Sequence, residues 1–122
     1  MIGGAFASNQ ITSVSFGTGL TSIGGVAFGT NKLTSLTIPA NITDIQQRAF
    51  ESNQLASIDL GSVTSIGSGA FSGNRLASVS FPSSLQIIGS NAFYDNSLVH
   101  VALPGSVQSI GDGAFVMNQI ET

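Results

Sequence analysis

The chain has 122 residues, of which 42% are hydrophobic but only 7% charged, with a net charge of −3 and neither cysteine nor tryptophan. An average soluble domain is roughly 25% charged, so the polar share here falls to Ser, Thr, Asn and Gly, a composition of short strands and turns. Three Lys/Arg argue against nucleic-acid binding through a basic patch, no apolar run approaches the roughly 18 residues of a membrane helix, and the lack of cysteine excludes a disulfide framework or a thiolate metal site.

Read from its N-terminus, the chain repeats. Ala5-Phe6 recurs as Ala27-Phe28, Ala49-Phe50, Ala70-Phe71, Ala92-Phe93 and Ala114-Phe115, in steps of 22, 22, 21, 22 and 22 residues. Three residues after each Phe stands an asparagine: Asn9, Asn31, Asn53, Asn74, Asn96 and Asn118. Apolar columns follow in order through Leu33, Leu36, Ile38, Ile42 and Ile45, with counterparts in the other coils. The 21-residue step has a place: only Gly61 and Ser62 separate Leu60 from Val63, where another coil has Pro39-Ala40-Asn41. A deletion in a loop is cheap if neighbouring columns stay in register. At the start, either Met1 or Ile2 fills the column of Ile23 and Ile45.

Each coil divides into four pieces. The first, GxxAFxxN, is one to two helical turns long, and its Asn is predicted to be a left-handed cap. The second has the spacing of Leu33, Leu36 and Ile38. The last two are two residues apart, so both point inward from a short strand while Ser35 and Thr37 point outward. Pro39, Pro82 and Pro104 end that strand, because proline cannot donate to a ladder. The third piece, VTSIG or ITDIQ, returns as a shorter extended segment, and Gly24, Gly67, Gly89 and Gly111 after it predict a turn with positive φ. Coils of this kind stack with parallel strands about 4.8 Å apart. The Phe column then fills the core, and the Asn amides bond to turn backbone and to one another up the stack.

The pattern IGxxAFxxNxLTSVxIPxSVTSIG resembles the BspA-like leucine-rich repeats. IGGVAFGTNKLTSLTIPANITD and IGSGAFSGNRLASVSFPSSLQI are near-consensus copies, and the likeness covers essentially the whole chain. Many family members carry Cys in the column that here runs from Asn9 to Asn118. The expected fold is a mainly β, right-handed, leucine-rich-repeat-like solenoid of about five and a half 22-residue coils, with parallel strands and short helical turns. It forms a single domain over residues 1–122, read as a piece of a longer array. The resemblance implies a surface or secreted protein that acts in adhesion and protein binding, without catalytic residues. No leader is expected within this chain, because Met1 runs straight into repeat sequence.

The outward positions of the strand, Ser35, Thr37, Ser57, Asp59, Ser78, Ser80 and His100, form the candidate interaction face for a protein or glycan ligand. No cofactor, metal site or catalytic residue is expected. His100 replaces the serine of its column, and the nearest acid on that face, Asp59, lies two coils away at roughly 10 Å, too far for a catalytic pair. No Ser-His-Asp arrangement or metal-ligand spacing occurs. Lys32, Arg48, Arg75, Asp44, Glu51, Asp95, Asp112 and Glu121 form no cluster in the sequence, and Gly3-Gly4 and Gly24-Gly25 lack the context of a phosphate loop. Tyr94 is expected to face outward as an isolated contact residue. A structural spacer is the alternative. Ice binding would need unbroken columns of small hydroxyls, but Thr12 and Thr34 give way to Ala56, Ala77 and Val99. End-to-end self-association is expected where stacked coils lack polar caps.

Overall fold

The computed structural model describes residues 4–121. Its strands, in chain order, are β1 (Ser22–Ile23), β2 (Ser35–Thr37), β3 (Asp44–Ile45), β4 (Ser57–Asp59), β5 (Ser65–Ile66), β6 (Ile87–Ile88) and β7 (Ser109–Ile110). β1, β3, β5, β6 and β7 form a five-stranded sheet in that order, and β2 and β4 form a second sheet of two strands. Every pairing is parallel, as it must be when each strand lies one full coil from its partner. The register follows the repeat: Ser22 opposes Asp44, Asp44 opposes Ser65, and Ser65 opposes Ile87. The step from Asp44 to Ser65 is the short one, so the loop at Gly61-Ser62 absorbs the deletion and the columns stay aligned. Met1 and Ile2, one of which fills the first place of the Ile23 column, lie outside the described residues.

The expected short helical turns are absent: among the described residues there is no helix. The GxxAFxxN segment instead makes two linked turns, with Ala27 N–H donating to the Gly24 carbonyl and Gly29 N–H to that of Val26. Alternate amides turn outward along the stack. Val26, Phe28 and Thr30 donate to the carbonyls of Gln47, Ala49 and Glu51 in the next coil. A helix would have used those N–H groups within its own segment, so stacking and helix formation compete for the same donors, and stacking wins.

Two left-handed residues, four apart, bend the segment. The pairs are Gly4 and Ser8, Val26 and Thr30, Arg48 and Ser52, Gly69 and Gly73, Asn91 and Asp95, and Gly113 and Met117. The second member stands just before the conserved-spacing asparagine, so the asparagine itself is not the left-handed cap. Gly24, Gly67, Gly89 and Gly111 are not left-handed either. The last three are needed because coils approach closely: a Cβ on Gly67 would lie 2.6 Å from the carbonyl carbon of Gln46, and one on Gly89 2.5 Å from the Ser68 nitrogen. In the third coil Gln46 takes this place, and its Oε1 accepts from Gly25 N–H at 3.2 Å.

The asparagines do not bond to one another. Asn74 Nδ2 donates to the carbonyls of Phe71 in its own coil and Phe50 in the coil before, both at 3.0 Å. Its Oδ1 accepts from Leu55 N–H, also in the preceding coil, at 3.0 Å. Asn31, Asn53, Asn96 and Asn118 repeat the three bonds with their own neighbours. Asn9 donates only within its own coil. Beside this column, Phe6, Phe28, Phe50, Phe71, Phe93 and Phe115 form one continuous stack, with centroids 5.3 to 5.6 Å apart and planes within 14°. Phe50, Phe71 and Phe93 are fully buried, whereas Phe6 is 48% exposed.

The piece read as the main strand pairs across one step only, β2 with β4. At its last inward position the coils carry Phe16, Ile38, Leu60, Phe81 and Leu103. Only Ile38 and Leu60 are aliphatic neighbours, and theirs are the coils that pair. Phe16 and Phe81 instead set their rings edge-on against Phe28 and Phe93, at 84° and 87°. The extended shorter piece, with a buried isoleucine in every strand but the last, carries the larger sheet.

Two stability outcomes follow from this packing. Phe71→Ala, with a ring on each side, should lose about 3–5 kcal/mol, and Phe115→Ala clearly less; equal losses in urea unfolding would contradict a linear stack. Val26 is β-branched at φ 58°, a region that costs an L-residue roughly 1–2 kcal/mol and that Asn tolerates best. Val26→Asn should therefore raise stability by about 1 kcal/mol, and Asn91→Val at the equivalent place (φ 57°) should lower it by a similar amount. No difference between the two, measured as urea midpoints at constant slope, would show that the turn bears no such strain.

Candidate functional site

The structure places all seven residues of the predicted strand face at exposed positions. They do not form one regular surface. Ser35 and Thr37 of β2 oppose Ser57 and Asp59 of β4 in register, but Ser78, Ser80 and His100 lie beyond the ladder, in segments with no strand pairing. The ordered part of the face is therefore two coils wide, which also removes the flat multi-coil lattice that an ice-binding surface needs.

Asp59 has a local reason for being there. Its Oδ1 accepts from Gly61 N–H at 3.0 Å, and Gly61 is left-handed at φ 55°, where a Cβ would collide with the Ile38 carbonyl. The aspartate thus closes the shortened loop, an Asx arrangement in which the side chain stands in for a backbone acceptor. Its departure from the repeat pattern is explained by folding before any ligand is invoked. Among the described residues, no three His, Cys, Asp or Glu side chains gather as a metal site would require.

A second site lies on the turn segments of the third, fourth and fifth Phe coils. A polar groove of about 500 Å³ opens there. Its floor is Ser68, Gly69 and Ser72 of the middle coil, one wall is Gln47, Arg48 and Glu51, and the other is Ser90, Asn91 and Tyr94. These are equivalent positions of three successive repeats. The hollow arises because the middle coil carries small residues where its neighbours carry larger ones. The arginine leans over the floor, since a Cβ on Gly69 would meet its Cγ at 3.3 Å. Arg48 Nε stands 3.9 Å from Glu51 Oε2, a loose pair at an exposed position that adds little to stability. Tyr94 is 37% exposed, so it faces outward as expected, but it is part of a groove and is not isolated. Linear reading missed the groove because Arg48, Glu51 and Tyr94 are scattered in the chain; aligning the turn segments coil by coil exposes it.

A smaller hollow of about 300 Å³, lined by Phe6, Phe16, Leu20 and Phe28, is apolar and continues the core columns at the first coil. Exposed apolar side chains also mark the last coil, among them Ile110, Val116 and Met117.

Compared with known proteins, residues 3–121 match the family model described as BspA type Leucine rich repeat region, in six copies. No curated protein and no solved structure matches the chain.

Proposed function

We propose that this chain, which belongs to the BspA-type leucine-rich repeat family, is a non-catalytic interaction scaffold that meets a protein or glycan partner with its outward strand positions. The observation that carries this reading is the division of labour within each coil. The Phe, Asn and Ile columns are turned inward and pinned by stacking, while Ser35, Thr37, Ser57, Ser78, Ser80 and His100 are exposed. Repeat proteins use such surfaces for partners. Families of this kind act typically at or outside the cell surface, and adhesion there is the role we assign. A spacer that holds other segments apart would need the same core but no ligand, and binding separates the two.

The test is a panel of extracellular-matrix proteins and glycans offered to the wild type and to a Thr37→Lys, Ser57→Lys, His100→Glu variant. Each change is on an exposed position and should alter stability by no more than about 0.5 kcal/mol. Asp59 is left intact because it holds the Gly61 turn. At least one ligand should bind the wild type and lose about tenfold or more in affinity, or 1.4 kcal/mol, with the folded variant. Equal binding by both proteins would show that the strand face is the wrong surface. No binding by the wild type would favour the spacer.

A further inference from the structure

We infer that the groove over Ser68, Gly69 and Ser72 is a second binding site, on a different face from the strand positions, and that its ligand is a neutral saccharide chain. Shape comes first. Successive coils lie about 4.8 Å apart, so walls two coils apart leave a slot roughly one sugar ring wide once side-chain thickness is taken off. A volume of about 500 Å³ falls in the range of small-ligand sites.

The chemistry of the lining narrows the class. Most of the backbone under the floor is already satisfied: Gly69 N–H donates to the Ser90 carbonyl, Ser72 N–H to that of Gly69, and Gly73 N–H to that of Tyr94. The floor therefore offers no row of open amides such as a sheet edge presents to a peptide strand. The side chains of Gln47, Ser68, Ser72 and Ser90, by contrast, are uncommitted, while Asn91 leans toward Gly113 of the following coil. Each can both donate and accept, which suits a ligand that alternates hydroxyl donors and acceptors along an apolar ring. Arg48 and Glu51 stand on the same wall at 3.9 Å, so their charges cancel, and neither a phosphate nor an ammonium ligand is selected. A carboxylate and a guanidinium side by side instead suit a pair of adjacent hydroxyls.

Tyr94 on the opposite wall supplies the remaining element. The chain has one tyrosine and no tryptophan, and that tyrosine stands at an outward position where the two preceding coils have Glu51 and Ser72. Folding does not require an aromatic ring there. An exposed ring with a polar tip is the side chain that packs against the C–H face of a sugar while keeping its hydroxyl wet. In a chain only 7% charged, the Arg48–Glu51 pair and the one tyrosine flank the same groove.

This arrangement also provides the assay. With a single tyrosine and no tryptophan, ultraviolet-excited tyrosine emission reports on the groove alone. Wild-type protein is titrated with neutral tetrasaccharides of glucose, galactose, mannose and N-acetylglucosamine up to about 10 mM, enough to detect millimolar affinities. A sulfated oligosaccharide and an extended neutral peptide are run beside them. At least one neutral sugar should change Tyr94 emission and shift the amide resonances of Ser68, Gly69 and Ser72. Ser72→Gln, which fills the floor, and Tyr94→Ala, followed by amide shifts, should each weaken binding about tenfold or more. The Thr37→Lys, Ser57→Lys, His100→Glu variant should bind the sugar as the wild type does, which separates this site from the strand face. The inference is overturned if no neutral sugar moves the emission or the amides, if only the sulfated sugar or the peptide does, or if both groove variants bind undiminished.

Discussion

Consecutive coils are joined through the amides of Asn31, Asn53, Asn74 and Asn96, which are buried, and of Asn118, which is half-buried, and most of the remaining geometry depends on that joint. A coil of about 22 residues reaches its own Phe carbonyl with one amide, but it has no partner for that carbonyl's second lone pair or for the first amide of its extended segment. The asparagine of the next coil supplies both partners. Each phenylalanine carbonyl from Phe28 to Phe93 accepts from two amides, one of its own coil and one of the following coil. Its N–H donates forward to the alanine carbonyl of the next coil. The bonds fix where the rings lie, and the rings stack with centroids 5.3 to 5.6 Å apart. The three bonds together call for an amide of this length. Aspartate has no N–H, serine is too short, and glutamine adds a methylene that a buried, fully packed position would have to absorb.

The columns were readable in the chain because burial repeats with the period: inward Phe, Asn and Ile recur whatever happens between them. The local shape of the turn was not. A helical turn and a pair of left-handed turns place the same two residues, Ala and Phe, toward the core, so apolar spacing does not distinguish them. What distinguishes them is the destination of the N–H groups of Val26, Phe28 and Thr30, and that is decided by the neighbouring coil. For the same reason Gly67, Gly89 and Gly111 read as turn glycines although their task is to let another coil's backbone come near. The limited reach of the β2–β4 ladder had a visible cause in Phe16 and Phe81, but its effect appears only once those rings are seen edge-on to the Phe stack. The groove was hidden for a different reason: it is a relief between repeats, and no single repeat contains it.

Function sits on what this scaffold leaves over. Because the stack satisfies most of its own backbone and buries its central rings, outward positions carry fewer folding demands than the columns. Asp59 departs from the Ser15, Thr37 and Ser80 of its column and holds the turn at Gly61. Tyr94 has no such folding role and stands beside a cluster of uncommitted amide and hydroxyl side chains. The strand face and the groove occupy different pieces of each coil, so one can be altered without the other.

The central claim, that the inter-coil amide holds the stack, is tested most directly by comparing Asn74→Ala with Asn9→Ala. Asn74 is 8% exposed and makes two of its four backbone contacts to the preceding coil. Its loss leaves the buried Leu55 N–H without a partner, at about 1–3 kcal/mol for that group alone. Asn9 is exposed and bonds only within its own coil. Urea unfolding followed together with hydrogen exchange at Leu55 should show Asn74→Ala losing about 2 kcal/mol or more with a faster-exchanging Leu55 amide, and Asn9→Ala staying within about 0.5 kcal/mol of wild type. Equal and small losses at both positions, with Leu55 still protected, would contradict it.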